Sequence, residues 1–191
     1  MKTKLEYIAC MLSLLTVFAS CSKEDPKPVE ESPFFSFFDQ PAITIDTTPV
    51  ATTPWEYGFV FNPLANGKIT KLGVKMPATG QFHVTLWNLS GATPTILSEQ
   101  NVTATAAHSP VFADITAVGV QKNATLGITV RANAFYRIQK QNATAFSFPL
   151  QIDNIRILSF NEEQNPASAA FPPTTNSNRV APCVNVVFVA D

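Results

Sequence analysis

The chain has 191 residues, enough for one ordinary domain, with 13 Lys and Arg against 14 Asp and Glu and a formal net charge of −1. This balance provides no electrostatic field for nucleic acid, and the charged fraction of 14% lies well below the roughly 25% of an average soluble protein. Fifteen Phe, fifteen Pro and only seven Gly exclude a coiled coil, a collagen-like repeat and a mainly disordered chain.

Residues 1–20 have the pattern of a bacterial lipoprotein signal peptide. Lys2 and Lys4 give a positive start, and residues 7–17 form an apolar run that is shorter than the about 20 residues of a membrane-spanning helix. Small residues then precede Cys21, which resembles the lipobox, where the cysteine becomes the lipidated first residue of the mature chain. The resemblance predicts that Cys21 carries diacylglycerol and a fatty acyl chain such as palmitate. An ordinary secretory signal with an unmodified Cys21 is the alternative.

Residues 21–33 are predicted to be a flexible, lipidated tether. Residues 22–25, Ser-Lys-Glu-Asp, resemble the surface-export signal of lipoproteins in Bacteroidetes-type bacteria, and residues 27–32 remain polar and proline-rich. Such a segment buries too little apolar surface to fold by itself. We therefore expect a lipoprotein that is anchored in the outer membrane by its lipid and faces the cell exterior.

Residues 34–191 are predicted to fold as a single all-β domain. Short alternating stretches are separated by turn residues at a spacing of roughly 8–12 residues, which is typical of an antiparallel β-sandwich. We expect roughly 8–10 strands in a jelly-roll or immunoglobulin-like arrangement. The predicted strands cover residues 55–61, 69–76, 81–88, 95–97, 101–105, 111–115, 125–130, 135–139, 146–152, 155–160 and 184–189.

Two further segments of this domain are less regular. Residues 34–38, Phe-Phe-Ser-Phe-Phe, are apolar on both faces, which favours a buried first strand over an exposed apolar patch. Residues 164–181 are rich in Pro, Ser and Asn and are predicted to form a long loop before the last strand.

The strand at residues 81–88 provides the candidate binding surface. Its residues at 82, 84 and 86 are apolar and should face the core, which places His83 and Trp87 on the opposite face. An indole on that face is covered either by a loop or neighbouring strand, or by a ligand such as a sugar ring. Tyr136 and Arg137, an aromatic–basic pair on another predicted strand, could line the same face. The predicted ligand-binding residues are therefore Trp87, His83, Tyr136 and Arg137.

The stretch from residue 59 to residue 138 has a recognisable order of strands and turns. It runs through Phe-Val-Phe at 59–61, Gly-Lys-Ile-Thr-Lys-Leu-Gly at 67–73, a turn at 77–80, Val-Thr-Leu-Trp at 84–87, Thr-Ile-Leu at 95–97 and Tyr-Arg-Ile at 136–138. This stretch resembles the β-sandwich modules grouped as domain of unknown function 4082, which occur in secreted and surface proteins of bacteria. The usual tryptophan in the strand after residues 95–97 is absent, and Phe112 is the nearest aromatic residue. The resemblance implies an extracellular, non-enzymatic accessory module and supplies no catalytic residues.

The sequence lacks the residue patterns of common enzymes. It contains two histidines, His83 and His108, and none of the spaced motifs of metallohydrolases, serine hydrolases or phosphate-binding loops. A glycosidase needs two carboxyl groups about 5–9.5 Å apart, and the acids between residues 59 and 160 are Glu99, Asp114 and Asp153. We therefore predict no catalytic residues and no enzymatic activity.

Neither a cofactor nor a metal is predicted. Calcium needs about six to eight oxygen ligands, and no acidic loop gathers enough of them. The scattered candidates for a structural calcium site are Asp39, Asp46, Asp114 and Asp153.

The number of cysteines also argues against a metal site. Cys183 is the single cysteine after Cys21, so neither a disulfide in the folded part nor a cysteine-based metal cluster is expected. The apolar residues that follow it predict that Cys183 is a small buried side chain.

Two further features of the sequence concern the protein surface, namely an excess of basic residues and a candidate modification site. Residues 59–160 carry eight basic and three acidic residues, a local balance of +5. This excess reflects either ordinary solvent-exposed strand faces or a mildly basic surface that contacts acidic glycans or the outer leaflet. Residues 46–48, Asp-Thr-Thr, resemble the O-glycosylation acceptor of Bacteroidetes surface proteins, which makes Thr47 a candidate modification site.

Two functions remain open at this stage. The first is a surface-anchored, non-catalytic binding module for an extracellular ligand, with glycan as the expected partner. The second is a structural or adhesive component of a cell-envelope assembly that contacts partner proteins through its sheet edges. An exposed aromatic row on a concave face would favour the first, and an unpaired, apolar terminal strand would favour the second.

Overall fold

The computed structural model describes residues 28–166 and 170–191. Within these residues, fourteen strands form three antiparallel sheets that pack against one another, which confirms the all-β prediction. The predicted signal peptide, Cys21 and residues 22–27 of the tether lie outside the described residues. No helix in the described ranges has both the length and the apolar character needed to cross a membrane.

The described residues contain fourteen strands, more than the 8–10 expected; ten have six or more residues and four are shorter. The long strands are β2 (Ile43–Thr48), β3 (Trp55–Pro63), β4 (Gly67–Lys75), β5 (Gly80–Asn88), β6 (Thr95–Ala104), β7 (Pro110–Val120), β8 (Leu126–Ala132), β9 (Phe135–Lys140), β11 (Ile155–Gln164) and β14 (Val184–Ala190). The short strands are β1 (Glu30–Glu31), β10 (Leu150–Ile152), β12 (Thr174–Thr175) and β13 (Arg179–Val180).

The three sheets enclose one main core. A seven-stranded sheet has the order β10-β11-β3-β8-β5-β6, with β12 paired to β11, and a four-stranded sheet has the order β1-β14-β4-β7. The third sheet has the order β13-β9-β2. Because side chains alternate across a strand, one face of each sheet can be apolar. The apolar faces of β3, β5 and β8 belong to the same buried cluster as those of β4 and β14.

The segment at residues 34–38 is buried, but it is not a strand. Phe34–Asp39 forms a 3-10 helix in which Phe34 and Phe37 are fully buried. Both rings stack on Phe59, at centroid distances of 4.8 and 5.3 Å. Residues three apart share a face of a 3-10 helix, so Phe34 and Phe37 enter the core while Phe35 and Phe38 lie together on another face. The prediction of burial is confirmed, but the predicted strand was wrong, because stacking of Phe34 and Phe37 on Phe59 requires the helical spacing.

The fold begins earlier than the tether prediction placed it. Glu30 and Glu31 lie in the segment assigned to the tether, but they form β1, which pairs with β14. Glu31 is buried, and its carboxylate accepts hydrogen bonds from the backbone N and from Nδ2 of Asn154, at 2.9 and 2.6 Å. These long-range hydrogen bonds compensate the cost of burying the Glu31 carboxylate. The polar composition of the segment predicted a tether and gave no sign of this burial.

Other strand boundaries also differ from the predictions. Residues 95–97 and 101–105 belong largely to one strand, β6, and the predicted strand at 146–152 is reduced to β10. The predicted loop at 164–181 contains β12 and β13. Ile43–Thr48, which was not assigned as a strand, forms β2 by pairing along its whole length with β9. The partner of β2 lies far away in the sequence, whereas β6 and β10 pair with β5 and β11, the strands next to them in the chain.

Candidate functional site

Trp87 is covered by the protein itself. Only 3% of the residue is exposed, its Nε1 donates a hydrogen bond to Thr129 Oγ1 at 2.9 Å, and the ring of Phe171 packs edge-on at 6.2 Å. Gly127, opposite Trp87 on β8, makes room for this cover, since a Cβ there would lie 2.4 Å from the Phe171 ring. The alternative in which a loop covers the indole is therefore the observed one. Trp87 has no exposed face for a sugar ring.

Of the other three predicted residues, His83 shares a sheet with Trp87, and Tyr136 and Arg137 do not. His83 lies on the same face of β5, with Nδ1 3.2 Å from Asn101 Oδ1 and Nε2 3.5 Å from Glu99 Oε2. Tyr136 and Arg137 lie on β9, in the three-stranded sheet. The structure thus places the four predicted residues in two different sheets, because alternation assigns a face within a strand but does not assign the strand to a sheet.

Arg137 is engaged in structural contacts. Its guanidinium carbon lies 4.7 Å from the ring centroids of both Trp55 and Phe135, and Nη2 lies 3.5 Å from Glu162 Oε2. Partial burial and the positive charge of Arg179 lower the pKa of Arg137, against the effect of Glu162. These contacts tie β9 to β3 and β11, and they occupy the group that was expected to bind ligand.

A polar row that the sequence reasoning missed crosses the outer face of the seven-stranded sheet. Glu163, Glu56, Arg131 and His83 occupy opposed positions on the neighbouring strands β11, β3, β8 and β5. The sequence feature that could have revealed this row is Glu56, a glutamate inside the apolar strand predicted at residues 55–61. Opposed residues on neighbouring strands lie within side-chain reach, so the charges of this row interact.

Glu56 is the buried member of the row, with 2% of its surface exposed. The Thr129 hydroxyl accepts the hydrogen bond from Trp87 and donates one to Glu56 Oε1 at 2.6 Å. Burial raises the pKa of Glu56, although the Thr129 hydrogen bond and the charges of Arg131 and His83 act in the opposite direction. The residues of the row, together with Thr129 and Trp87, therefore satisfy one another's hydrogen bonds and charges. The row is a structural network.

A row of partly exposed aromatic rings lies elsewhere, on a surface that we call the aromatic ridge. Five rings follow one another across it: Phe112, Phe35, Phe38, Tyr136 and His108. Successive centroids are 5.8, 6.5, 5.3 and 5.9 Å apart. The three Phe residues are half-buried, the tyrosine is 6% exposed and the histidine is exposed. The ridge is assembled from β7, the 3-10 helix, β9 and the loop between β6 and β7, so no single sequence pattern reveals it.

Local geometry explains both ends of the ridge. Phe112 lies opposite Gly73 on β4, and a Cβ on Gly73 would come within 2.3 Å of the Phe112 ring, so only glycine lets the ring lie across the strand. At the other end, His108 has a φ of 69°, in a left-handed region that histidine tolerates better than most residues. Its N–H donates to the Met76 carbonyl at 2.7 Å, and its Nδ1 is hydrogen-bonded to the Tyr136 hydroxyl.

A basic group lies on the ridge. Lys75 Nζ is 4.3 Å from the centroid of the Phe38 ring. Among residues 28–166 and 170–191, no acidic side chain lies within 4.0 Å of this ammonium group. The ridge thus combines half-exposed aromatic faces, a hydrogen-bonding tyrosine–histidine pair and a cation, which together suit a ligand with both apolar and polar groups.

The remaining predicted sites are dispersed. Thr47 is exposed, as expected, but it lies on β2 opposite Tyr136 and not in a loop. Asp46 lies opposite Arg137, and Asp114 lies opposite Lys71. No group of three or more potential ligands among the described histidines, cysteines and acids could hold a metal ion.

Cys183 is buried, as predicted. The Tyr136 backbone N donates a hydrogen bond to its Sγ at 3.2 Å, and no part of the residue is exposed. Burial raises the pKa of the Cys183 thiol to about 12, with hydrogen bonds from Tyr136 and Tyr57 opposing the shift. The thiol is therefore protonated and inaccessible in the folded protein.

No family model, no curated protein and no solved structure matches the chain. Its function is therefore argued from its own residues.

Proposed function

We propose that the protein is a surface-anchored lipoprotein whose β-sandwich is a non-catalytic module that binds extracellular glycan through the aromatic ridge. The observation that carries this proposal is the series of half-exposed rings from Phe112 to Phe38. Sugar rings present C–H faces that pack on aromatic rings, while their hydroxyl groups need polar partners. The Tyr136–His108 pair supplies such partners at one end of the ridge.

The exposure of these rings needs a physical reason. Three neighbouring phenylalanines that remain partly exposed forgo part of the burial energy that folding could provide, about 25 cal/mol per Å² of apolar surface. A contiguous patch of exposed apolar side chains is uncommon on a soluble protein and usually marks an interaction site. A ligand with alternating apolar and polar groups fits the mixed character of the ridge better than a purely apolar partner.

The proposed anchor is compatible with this role. Cys21 precedes the first strand residue, Glu30, by nine positions. Nine extended residues span at most about 30 Å. A lipid on Cys21 would therefore keep the sandwich close to the membrane, where it can meet surface polysaccharide or glycan from outside the cell.

Two variants test the anchor independently of the ridge. Cys21→Ala should abolish lipidation, which detergent partitioning and the mass of the mature chain will show. Replacing residues 23–25 by alanine should retain the lipid but remove surface exposure, measured by protease treatment of intact cells. A Cys21→Ala chain that still carries lipid contradicts the anchor.

Glycan binding is tested with the full chain, purified in detergent, on a glycan array. The double variant Phe35→Ala/Phe38→Ala should lose binding at least tenfold, because it removes both helix-borne rings of the ridge. Ile96→Ala is the matched control, since Ile96 is also a partly exposed apolar residue, 47% exposed, but lies on β6. Absence of any glycan ligand, or equal losses in the variant and the control, overturns the proposal.

A second candidate function rests on β2. Among the described residues this strand pairs with β9 alone, and it carries neither Pro nor Lys. Ile45 is 45% exposed in its middle. Such an edge can add a strand from a partner protein, which would make the chain an assembly or adhesive component. Photo-crosslinking from Thr44 on intact cells would capture that partner, whereas crosslinks from the ridge alone would argue against this function.

A further inference from the structure

We infer that the glycan held by the aromatic ridge is anionic and that Lys75 binds its carboxylate or sulfate group. This inference rests on the proposed function and specifies the chemical class of the ligand. It depends on the position of one ammonium group relative to its aromatic and acidic neighbours.

Lys75 and Lys71 form a natural comparison. They lie on the same face of β4, on either side of Gly73, because each is two positions from the glycine along a regularly paired part of the strand. Lys71 Nζ is 3.0 Å from Glu30 Oε1, so its charge is neutralised within the protein. Lys75 has no such partner in the described part of the chain, and its ammonium lies over the Phe38 ring.

The ring beneath Lys75 favours an anionic partner above it. The aromatic face attracts the ammonium group and shields one side of it from water. An anion that approaches from the solvent side then forms a charge-assisted hydrogen bond, which is stronger than a bond to a neutral hydroxyl group. The neighbouring Phe35 ring, 6.5 Å from Phe38, can contact the sugar at the same time, so charge and stacking act on one ligand.

Neighbouring acids do not already satisfy this cation. Asp39 follows Phe38 at the end of the 3-10 helix and is exposed, and Asp114 lies opposite Lys71 in the β4–β7 pairing. Neither carboxylate lies within 4.0 Å of Lys75 Nζ. The excess of basic residues between positions 59 and 160, eight against three, acts in the same direction over a longer range.

The test uses the full chain in detergent and two pairs of matched probes. These are oligogalacturonate and hyaluronan oligosaccharides, each with its carboxylates free or methyl-esterified, together with the anionic and neutral members of a glycan array. We expect binding to the free acids and at least a tenfold loss on esterification. Binding of the anionic ligand should weaken as salt concentration rises.

Variants assign the charge to Lys75. Lys75→Met should lower affinity for the anionic ligand at least tenfold and reduce its salt dependence, whereas Lys75→Arg should retain most of the binding. Lys71→Met is the matched control and should leave binding within twofold. Melting temperatures of all three variants verify that the fold is retained.

The outcomes separate this inference from the proposed function. Glycan ligands that are neutral, or that bind Lys75→Met as well as the unmodified chain, overturn the anionic assignment while ridge binding still holds. If no glycan binds, or if Phe35→Ala/Phe38→Ala has no effect, the proposed function is itself wrong.

Discussion

Two adjacent phenylalanines of the 3-10 helix should respond differently to truncation. Phe37 is fully buried, stacked on Phe59 and edge-on to Phe146 at 5.8 Å. Removing such a side chain by Phe37→Ala costs about 3–5 kcal/mol of unfolding free energy, because the lost contacts and the remaining cavity both count. Phe38 is half-buried. Most of the about 1.5–3 kcal/mol for complete burial, plus about 0.5–1 kcal/mol for its contact with Lys75, gives about 2–3 kcal/mol for Phe38→Ala.

The difference is measurable by thermal and urea unfolding of the chain expressed from residue 22. In a domain of this size, a loss of 1 kcal/mol lowers Tm by about 2–4 °C. Phe37→Ala should therefore lower Tm by about 6–20 °C, and Phe38→Ala by about 4–12 °C. The urea m-value should stay constant in both variants, which shows that stability and not compactness has changed.

Equal losses for the two variants would refute the assignment of faces. A strand would place residue 38 on the same face as 34 and 36, whereas the 3-10 helix groups 34 with 37 and 35 with 38. Phe34→Ala and Phe35→Ala provide a second comparison of the same kind. If the losses follow odd and even positions, the helix is the wrong description and the ridge loses its two central rings.

Three further predictions concern the buried polar groups and Trp87. Because burial raises the pKa of Glu56, the folded chain holds its proton to higher pH than the unfolded chain, so stability should fall as pH rises above about 4.3. Glu56→Gln should reduce this slope in urea unfolding between pH 4 and pH 7, and an unchanged slope would contradict the assignment. Cys183 should not react with Ellman's reagent at pH 8 in the folded chain from residue 22, and one thiol should appear in guanidinium; rapid labelling without denaturant would show that the site opens. Trp87→Ala should lower the unfolding free energy by about 3–5 kcal/mol and leave glycan binding to the folded protein unchanged, and lost binding at unchanged stability would restore Trp87 as a platform.

Local patterns in the sequence determined the class of fold and much of its core. Apolar residues at alternate positions of 81–88 were expected to face inward, and Phe82, Val84 and Leu86 are buried. The thiol of Cys183 was also assigned correctly. These features depend on the two-residue period of a strand and on neighbouring apolar residues, which are properties of a short stretch of chain.

Only the tertiary structure decided where the functional surface lies. Phe171, 84 positions after Trp87, covers the indole, and Tyr136 pairs with β2 in a sheet separate from that of β5. The ridge joins Phe35, Phe112 and Tyr136, which are far apart in the sequence. Contacts of this kind depend on strand order, register and the choice between a strand and a 3-10 helix at residues 34–39. Long-range packing makes those choices, since the energy of burying Phe34 and Phe37 against Phe59 exists only once the sheets have come together.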